Sequence, residues 1–113
     1  MEIQITPSPS GQALEVRFDG RLDTAGVDAV ETRFLAATGA DKDLLVDLGG
    51  VPLVTSMGIR MLISAARAMS IRKHRIVLFG AQPLVAEVLE TAAVDTLMAV
   101  VAGADEARAL VGG

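Results

Sequence analysis

The sequence contains no cysteine, so its 113 residues hold no disulfide, no thiolate metal ligand and no thiol nucleophile. Tryptophan and tyrosine are also absent, and aromatic residues make up only 3% of the chain. The formal net charge is -4 at pH 7. Proteins that bind nucleic acids usually use clustered basic residues and aromatic side chains that stack on bases. These absences therefore predict that no nucleic acid is a partner.

Long apolar runs are missing as well. No run reaches the roughly 18 residues that a membrane-spanning helix needs. The N-terminal segment MEIQITPSPSG is polar and acidic, unlike a signal peptide. We therefore predict a cytoplasmic protein with no direct membrane insertion.

The residue sets used by most enzymes are absent too. The only histidine, His74, stands in the basic stretch IRKHRIV, where it is most simply a solvated residue of a turn. Gly49 and Gly50 follow an apolar run, but neither GxGxxG nor GxxxxGK[ST] occurs in the chain. We predict no enzyme activity, no metal site and no cofactor. A small-molecule or nucleotide site near these glycines is left as an alternative, although no dedicated motif supports it.

The spacing of apolar residues predicts an α/β fold. Apolar and polar residues alternate over 3–5 and 14–18, which indicates an N-terminal hairpin with a loop at 7–11. Nearly continuous apolar runs at 44–48, 75–79 and 97–101 are typical of covered parallel strands. Helical patterns occupy 24–39, 56–71, 83–92 and 104–111. We predict one domain over residues 1–113, with a mixed sheet of about five strands and about four helices.

The segment LLVDLGGVPLVTSMGIRMLISAARA, residues 44–68, joins a predicted strand to a predicted helix. Ser56 is expected to be the N-cap of that helix, and Gly58 is expected to leave backbone N–H groups open to a docking partner. A phosphate on Ser56 would lie at the positive end of the helix dipole and add about -1.5 to -2 charges. An ordinary structural cap explains the same residues.

The predicted helix at 56–71 has an unusually wide apolar arc. Besides the stripe expected to pack on the sheet, it carries Met57, Ile59, Met61 and Ile63. Exposed apolar positions beside Ser56 would form a docking surface, and methionine suits an adaptable one. Deep burial of the helix between its neighbours is the alternative, and the sequence leaves both open.

The motif around Ser56 resembles the signature of STAS domains, the family that includes the anti-sigma factor antagonists. The matching elements are Asp47-Leu48-Gly49, the apolar loop 51–54, and Thr55-Ser56-Met57-Gly58 at the start of a helix. The stretch FDGRLDTAGV, residues 18–27, is similar to a second family feature. The resemblance covers nearly the whole chain and implies a small α/β regulator.

In the antagonists, a serine of this motif is phosphorylated by a partner that is both anti-sigma factor and serine kinase. The unphosphorylated form binds that partner, and a serine phosphatase resets the switch. The resemblance places this serine at Ser56 and a nearby family aspartate at Asp23, with Thr55 as a rival acceptor. The partner-binding set that it implies comprises Asp23, Thr55, Ser56, Met57, Gly58, Ile59 and Met61. Other STAS domains are unswitched subunits of transport or larger signalling complexes, and this stays an alternative.

Overall fold

One five-stranded sheet runs through the molecule. The structure is a computed structural model that describes residues 1–111, so the last two residues of the predicted domain, 112–113, lie outside the described residues. The strands lie in chain order across the sheet, with β1 antiparallel to β2 and the other neighbours parallel. The strands are β1 (Glu2–Pro7), β2 (Ala13–Asp19), β3 (Asp43–Gly50), β4 (Ile76–Phe79) and β5 (Ala99–Val101).

A helix follows each strand from β2 onward. Because parallel neighbours need a crossover connection, the helices after β2, β3 and β4 return the chain to the start of the next strand. The helices are α1 (Thr24–Thr38), α2 (Ser56–Ile71), α3 (Pro83–Thr91) and α4 (Ala104–Leu110). The predicted mixed α/β sheet with an N-terminal hairpin is confirmed.

The two faces of the sheet are covered unequally. Along β3, Leu44 and Val46 point into a large core that includes side chains from α1, α2 and α3. Leu45 points the other way, into a smaller core completed by Ala107 of α4. This alternation is the period of two expected of a strand buried on both faces.

The fifth strand is shorter than predicted. The run 97–101 was expected to be extended throughout, but a 3₁₀ turn at Val94–Thr96 precedes β5. The N–H groups of Leu97 and Met98 both donate to the Val94 carbonyl, at 2.9 and 3.1 Å. Since these N–H groups close the turn, the strand begins only at Ala99.

Candidate functional site

The loop after β2 and the loop after β3 lie side by side and continue the parallel pairing of their strands. The Gly20 N–H donates to the Gly50 carbonyl, and the Leu22 N–H donates to the Leu53 carbonyl, both at 2.9 Å. Leu22 and Val54 form an isolated parallel bridge. These bonds hold the β2–α1 loop against the chain that enters α2.

Thr55, rather than Ser56, is the N-cap of α2, and the predicted cap is wrong by one residue. The Thr55 side chain makes no cap bond to the helix. Instead, its hydroxyl donates to the Leu22 carbonyl at 3.2 Å, and its N–H donates to the same oxygen at 3.0 Å. The β2–α1 loop therefore holds the Thr55 hydroxyl.

Ser56 occupies the first turn of α2, and its side chain is exposed. Within residues 1–111, its hydroxyl has no hydrogen-bond partner, in contrast to that of Thr55. The first turn of a helix carries backbone N–H groups without intrahelical acceptors and the positive end of the dipole. The geometry thus presents a free hydroxyl where a negative group would be stabilised.

Gly58 has a different role from the one predicted. It is buried, and the side of its Cα that lacks a side chain faces the β2–α1 loop. A Cβ atom at Gly58 would lie 2.8 Å from the Leu22 carbonyl oxygen and 3.0 Å from the Leu22 Cβ. Glycine is needed here because α2 passes so close to the β2–α1 loop.

The substitution Gly58→Ala is expected to lower the free energy of unfolding by about 1–3 kcal/mol, because the added methyl group overlaps backbone that is already hydrogen-bonded. Urea denaturation followed by circular dichroism measures the effect. Ser64→Ala, at an exposed position of the same helix, is the matched control and should change stability by less than about 0.5 kcal/mol. Equal stability of the Gly58→Ala and Ser64→Ala variants would contradict the proposed close packing.

The structure also divides the apolar arc of α2. Met61 is only 2% exposed and belongs to the core, so the expectation that it offers an exposed apolar position is wrong. Met57 and Ile59 are half-buried at the edge of the core, as is Ile63. Both alternatives therefore hold in part: the helix packs deeply, and some of its first-turn side chains reach the surface.

Ile59 and Ser56 together line an apolar groove between α2 and α3. The groove has a volume of about 410 Å³ and is completed by Leu84, Glu87, Val88, Thr91 and Ala92 of α3 and the residue after it. Leu84 is 56% exposed, an unusual position for a large apolar side chain. Ser56 thus lies in the wall of an open apolar groove whose one charged lining residue is Glu87.

Asp23 caps the other helix that begins at this edge. Asp23 is the N-cap of α1, and its Oδ1 accepts a hydrogen bond from the Gly26 N–H at 2.8 Å. Asp23 directly follows Leu22, the residue that bonds Thr55. Its carboxylate is thus engaged in the cap while its neighbour fixes the start of α2.

An ion-pair network that the motifs did not reveal supports the end of β3. Arg17 donates to Asp47 at 2.8 Å and pairs with Asp19 at 3.1 Å, and these contacts raise the pKa of Arg17, with the Asp47 hydrogen bond as the main cause. The other Asp47 oxygen accepts from the Gly49 N–H at 2.8 Å, and the Gln82 amide donates to the Gly49 carbonyl at 3.0 Å. Side chains of β2, of β3 and of the loop before α3 therefore hold the Gly49 turn.

Among residues 1–111, no group of three or more His, Asp or Glu side chains is arranged to hold a metal ion. Over the same residues, each helix is too short or too polar to cross a bilayer.

The fold and the site define an α/β domain with an exposed hydroxyl in the first turn of a helix, at the edge of an apolar groove. The chain belongs to the STAS family: the family model described as "Mlab, STAS domain" matches residues 5–107. None of the curated protein sequences matches the chain significantly.

Three solved structures illustrate the likeness. An anti-sigma-factor antagonist (STAS) domain protein from Planctomyces limnophilus has a TM-score of 0.86 and 22% identity, covering 98% of each chain. The phosphorylated form of the Bacillus cell fate determinant SpoIIAA has a TM-score of 0.70 and 16% identity, covering 93% of this chain and 94% of that one. The murine anion transporter Slc26a9 has a TM-score of 0.78 and 20% identity, covering 89% of this chain but 18% of the transporter. At these identities the likeness shows the fold alone.

Proposed function

We propose that this STAS domain, acting as one unit over residues 1–113, is a phosphorylation-switched protein-binding module of the anti-sigma factor antagonist type. It binds an anti-sigma factor that is also a serine kinase, and so regulates transcription by a sigma factor in the cytoplasm. Phosphorylation of Ser56 ends the binding, and a serine phosphatase restores it. The observation that carries the proposal is the free, exposed Ser56 hydroxyl in the wall of the apolar groove.

The hydrogen bonds favour Ser56 over Thr55 as the acceptor. A kinase must reach the hydroxyl and remove its proton, and the Thr55 hydroxyl is half-buried and donates that proton to the Leu22 carbonyl. Phosphorylated Thr55 would lose this donor and place a charged group against a carbonyl oxygen. Ser56 loses no contact when it is phosphorylated.

The groove supplies the physical reason for a switch. In the unphosphorylated protein, Ile59, Leu84 and Val88 offer apolar surface whose burial by a partner is favourable. A phosphate on Ser56 brings about -1.5 to -2 charges into the groove wall, and it must be desolvated when a partner covers it. The carboxylate of Glu87 lines the same groove and repels it. Phosphorylation is therefore expected to weaken the binding of a partner that covers this surface.

Incubation with ATP and a purified anti-sigma factor kinase that binds the protein should add one phosphate, and Ser56→Ala should abolish this addition. Intact-mass spectrometry measures it directly. Thr55→Val is the matched control: it keeps the side-chain shape, removes the rival hydroxyl and should still accept one phosphate. A phosphate that persists in Ser56→Ala but disappears in Thr55→Val would assign the acceptor to Thr55 instead.

A second candidate function is a constitutive, non-catalytic subunit of a transport or larger signalling complex. It is favoured by the likeness to part of the anion transporter Slc26a9 and by the Mlab description of the family model. This function predicts a stable co-purifying partner that binds Ser56→Asp as well as it binds the unchanged protein. Loss of that partner in a folded Ser56→Asp variant would favour the phosphorylation switch.

A further inference from the structure

His74 lies in the turn between α2 and β4 and faces two carboxylates. Its Nε2 is 2.9 Å from an Asp41 oxygen, and its Nδ1 is 3.2 Å from an Asp43 oxygen. The side chain is only 25% exposed, so the prediction of a solvated turn histidine is wrong. The sequence does not reveal these partners because they precede His74 by 33 and 31 positions.

The contacts at both ring nitrogens require a particular protonation state. Ionised carboxylates only accept hydrogen bonds, and a neutral imidazole has a single N–H group to donate. The imidazolium ion has two. Both contacts are therefore satisfied together only when His74 is positively charged.

The contacts of His74 join two turns at the edge of the sheet opposite to Ser56. Other bonds run between the same turns: Arg72 donates to the Gly39 carbonyl at 3.3 Å, and the Arg75 N–H donates to Asp43 at 2.8 Å. Asp41 and Lys73 each have a φ of 63°, a left-handed conformation that is unfavourable for residues other than glycine. Such turns persist when the surrounding contacts hold them.

We propose that His74, Asp41 and Asp43 form a proton-operated clamp between the α1–β3 turn and the α2–β4 turn. With two ring protons, His74 binds both carboxylates. With one ring proton, it keeps the partly buried Asp43, and its contact with Asp41, which is 81% exposed, gives way to water.

The charges around the ring are mixed. The α1–β3 side contributes the two aspartates and Lys42, and the turn of His74 itself contributes Arg72, Lys73 and Arg75. The cavity beside the ring is also lined by Ala66 and Ser70 of α2 and by Leu97 and Met98 after the 3₁₀ turn, none of them charged. Asp95 of that turn does not line the cavity. The carboxylates are the direct partners, and the pKa of His74 is raised, mainly by the Asp41 hydrogen bond, with burial acting in the opposite direction.

The direction of the pKa shift sets the pH dependence of the clamp. A group with a higher pKa in the folded protein stabilises the fold fully below the pKa that it has when unfolded. For His74 the unfolded value is near the ordinary 6.5. The stabilisation is therefore present in acid and is lost as the pH rises through the folded pKa.

Nuclear magnetic resonance tests the clamp cleanly because His74 is the sole histidine and gives a single set of imidazole signals. Titration of the whole protein should give a midpoint above 6.5. Asp41→Asn and Asp43→Asn should each lower this midpoint. The control Asp105→Asn should not, because Asp105 is fully exposed in the first turn of α4, at the opposite edge of the sheet. A midpoint at or below the ordinary value, or one that neither variant lowers, would overturn the proposal.

A stability measurement gives the second readout. The difference in urea midpoint between the unchanged protein and His74→Gln is compared at about pH 5.5 and about pH 8, on either side of the range in which histidine titrates. We expect the unchanged protein to have its advantage at the lower pH and to lose most of it at the higher. An equal difference at both pH values would show that His74 acts only by packing.

Discussion

Replacement of Phe34 by alanine is expected to lower the free energy of unfolding by about 3–5 kcal/mol. Phe34 is fully buried where α1 meets the sheet. Its ring packs edge-to-face on Phe18, with a distance of 5.2 Å between the ring centroids. Since only three aromatic residues occur in the chain, the aliphatic neighbours are too short to fill the resulting cavity without moving the backbone.

Urea denaturation followed by far-ultraviolet circular dichroism measures this loss, because the chain has no tryptophan or tyrosine to report by fluorescence. Leu35→Ala is the matched control, since Leu35 is the next residue of α1 and is 42% exposed. It should cost less than about 1 kcal/mol, as expected for a surface substitution. A Phe34→Ala variant no less stable than Leu35→Ala would show that α1 does not pack on the sheet as described.

The substitution Gly26→Ala is expected to destabilise the protein by about 3 kcal/mol or to prevent folding, at the upper end of the range for overpacking. A Cβ atom at Gly26 would overlap the Arg21 carbonyl oxygen, which is backbone and has little room to move. The Gly26 N–H also receives the Asp23 cap bond, so a shift of the helix start would break it. Thermal and urea unfolding of the purified variant measure the effect.

Gly39→Ala is the control that separates this steric overlap from the general effect of replacing glycine by alanine. Gly39 follows α1 with a φ of -89°, which alanine adopts without strain, and an added Cβ would meet its nearest neighbour at an ordinary 3.5 Å. Alanine at such a position reduces the entropy of the unfolded chain and should stabilise the protein by about 0.4–1 kcal/mol. If Gly39→Ala destabilised the protein and Gly26→Ala did not, the proposed difference between the two glycines would be contradicted.

Gly26 and Gly58 connect folding to the candidate site. Both glycines allow a helix start to approach the β2–α1 loop, Gly26 at Arg21 and Gly58 at Leu22. Leu22 in turn binds the Thr55 hydroxyl. We therefore expect substitutions at either glycine to disturb the setting of Ser56 as well as overall stability.

The elements of the fold were predictable because their signals are local. The period of two in β1 and β2 and the helical spacing of Val27, Val30 and Phe34 follow from side-chain directions within one element. The length of β5 was not predictable in this way. Leu97 and Met98 belong to an apolar run, but their N–H groups close a 3₁₀ turn instead of pairing with β4.

The sequence alone determined the fold class and the absence of thiol chemistry, and its resemblance to STAS domains predicts a functional site at Thr55-Ser56-Met57-Gly58. Only the tertiary structure decided how these residues divide their roles. Leu22 binds the Thr55 hydroxyl from 33 positions away and leaves Ser56 free, Gly58 is a packing glycine, and Met61 lies in the core. Periodicity describes which face of an element is apolar, whereas these roles depend on two loops that are brought side by side only when the strands pair.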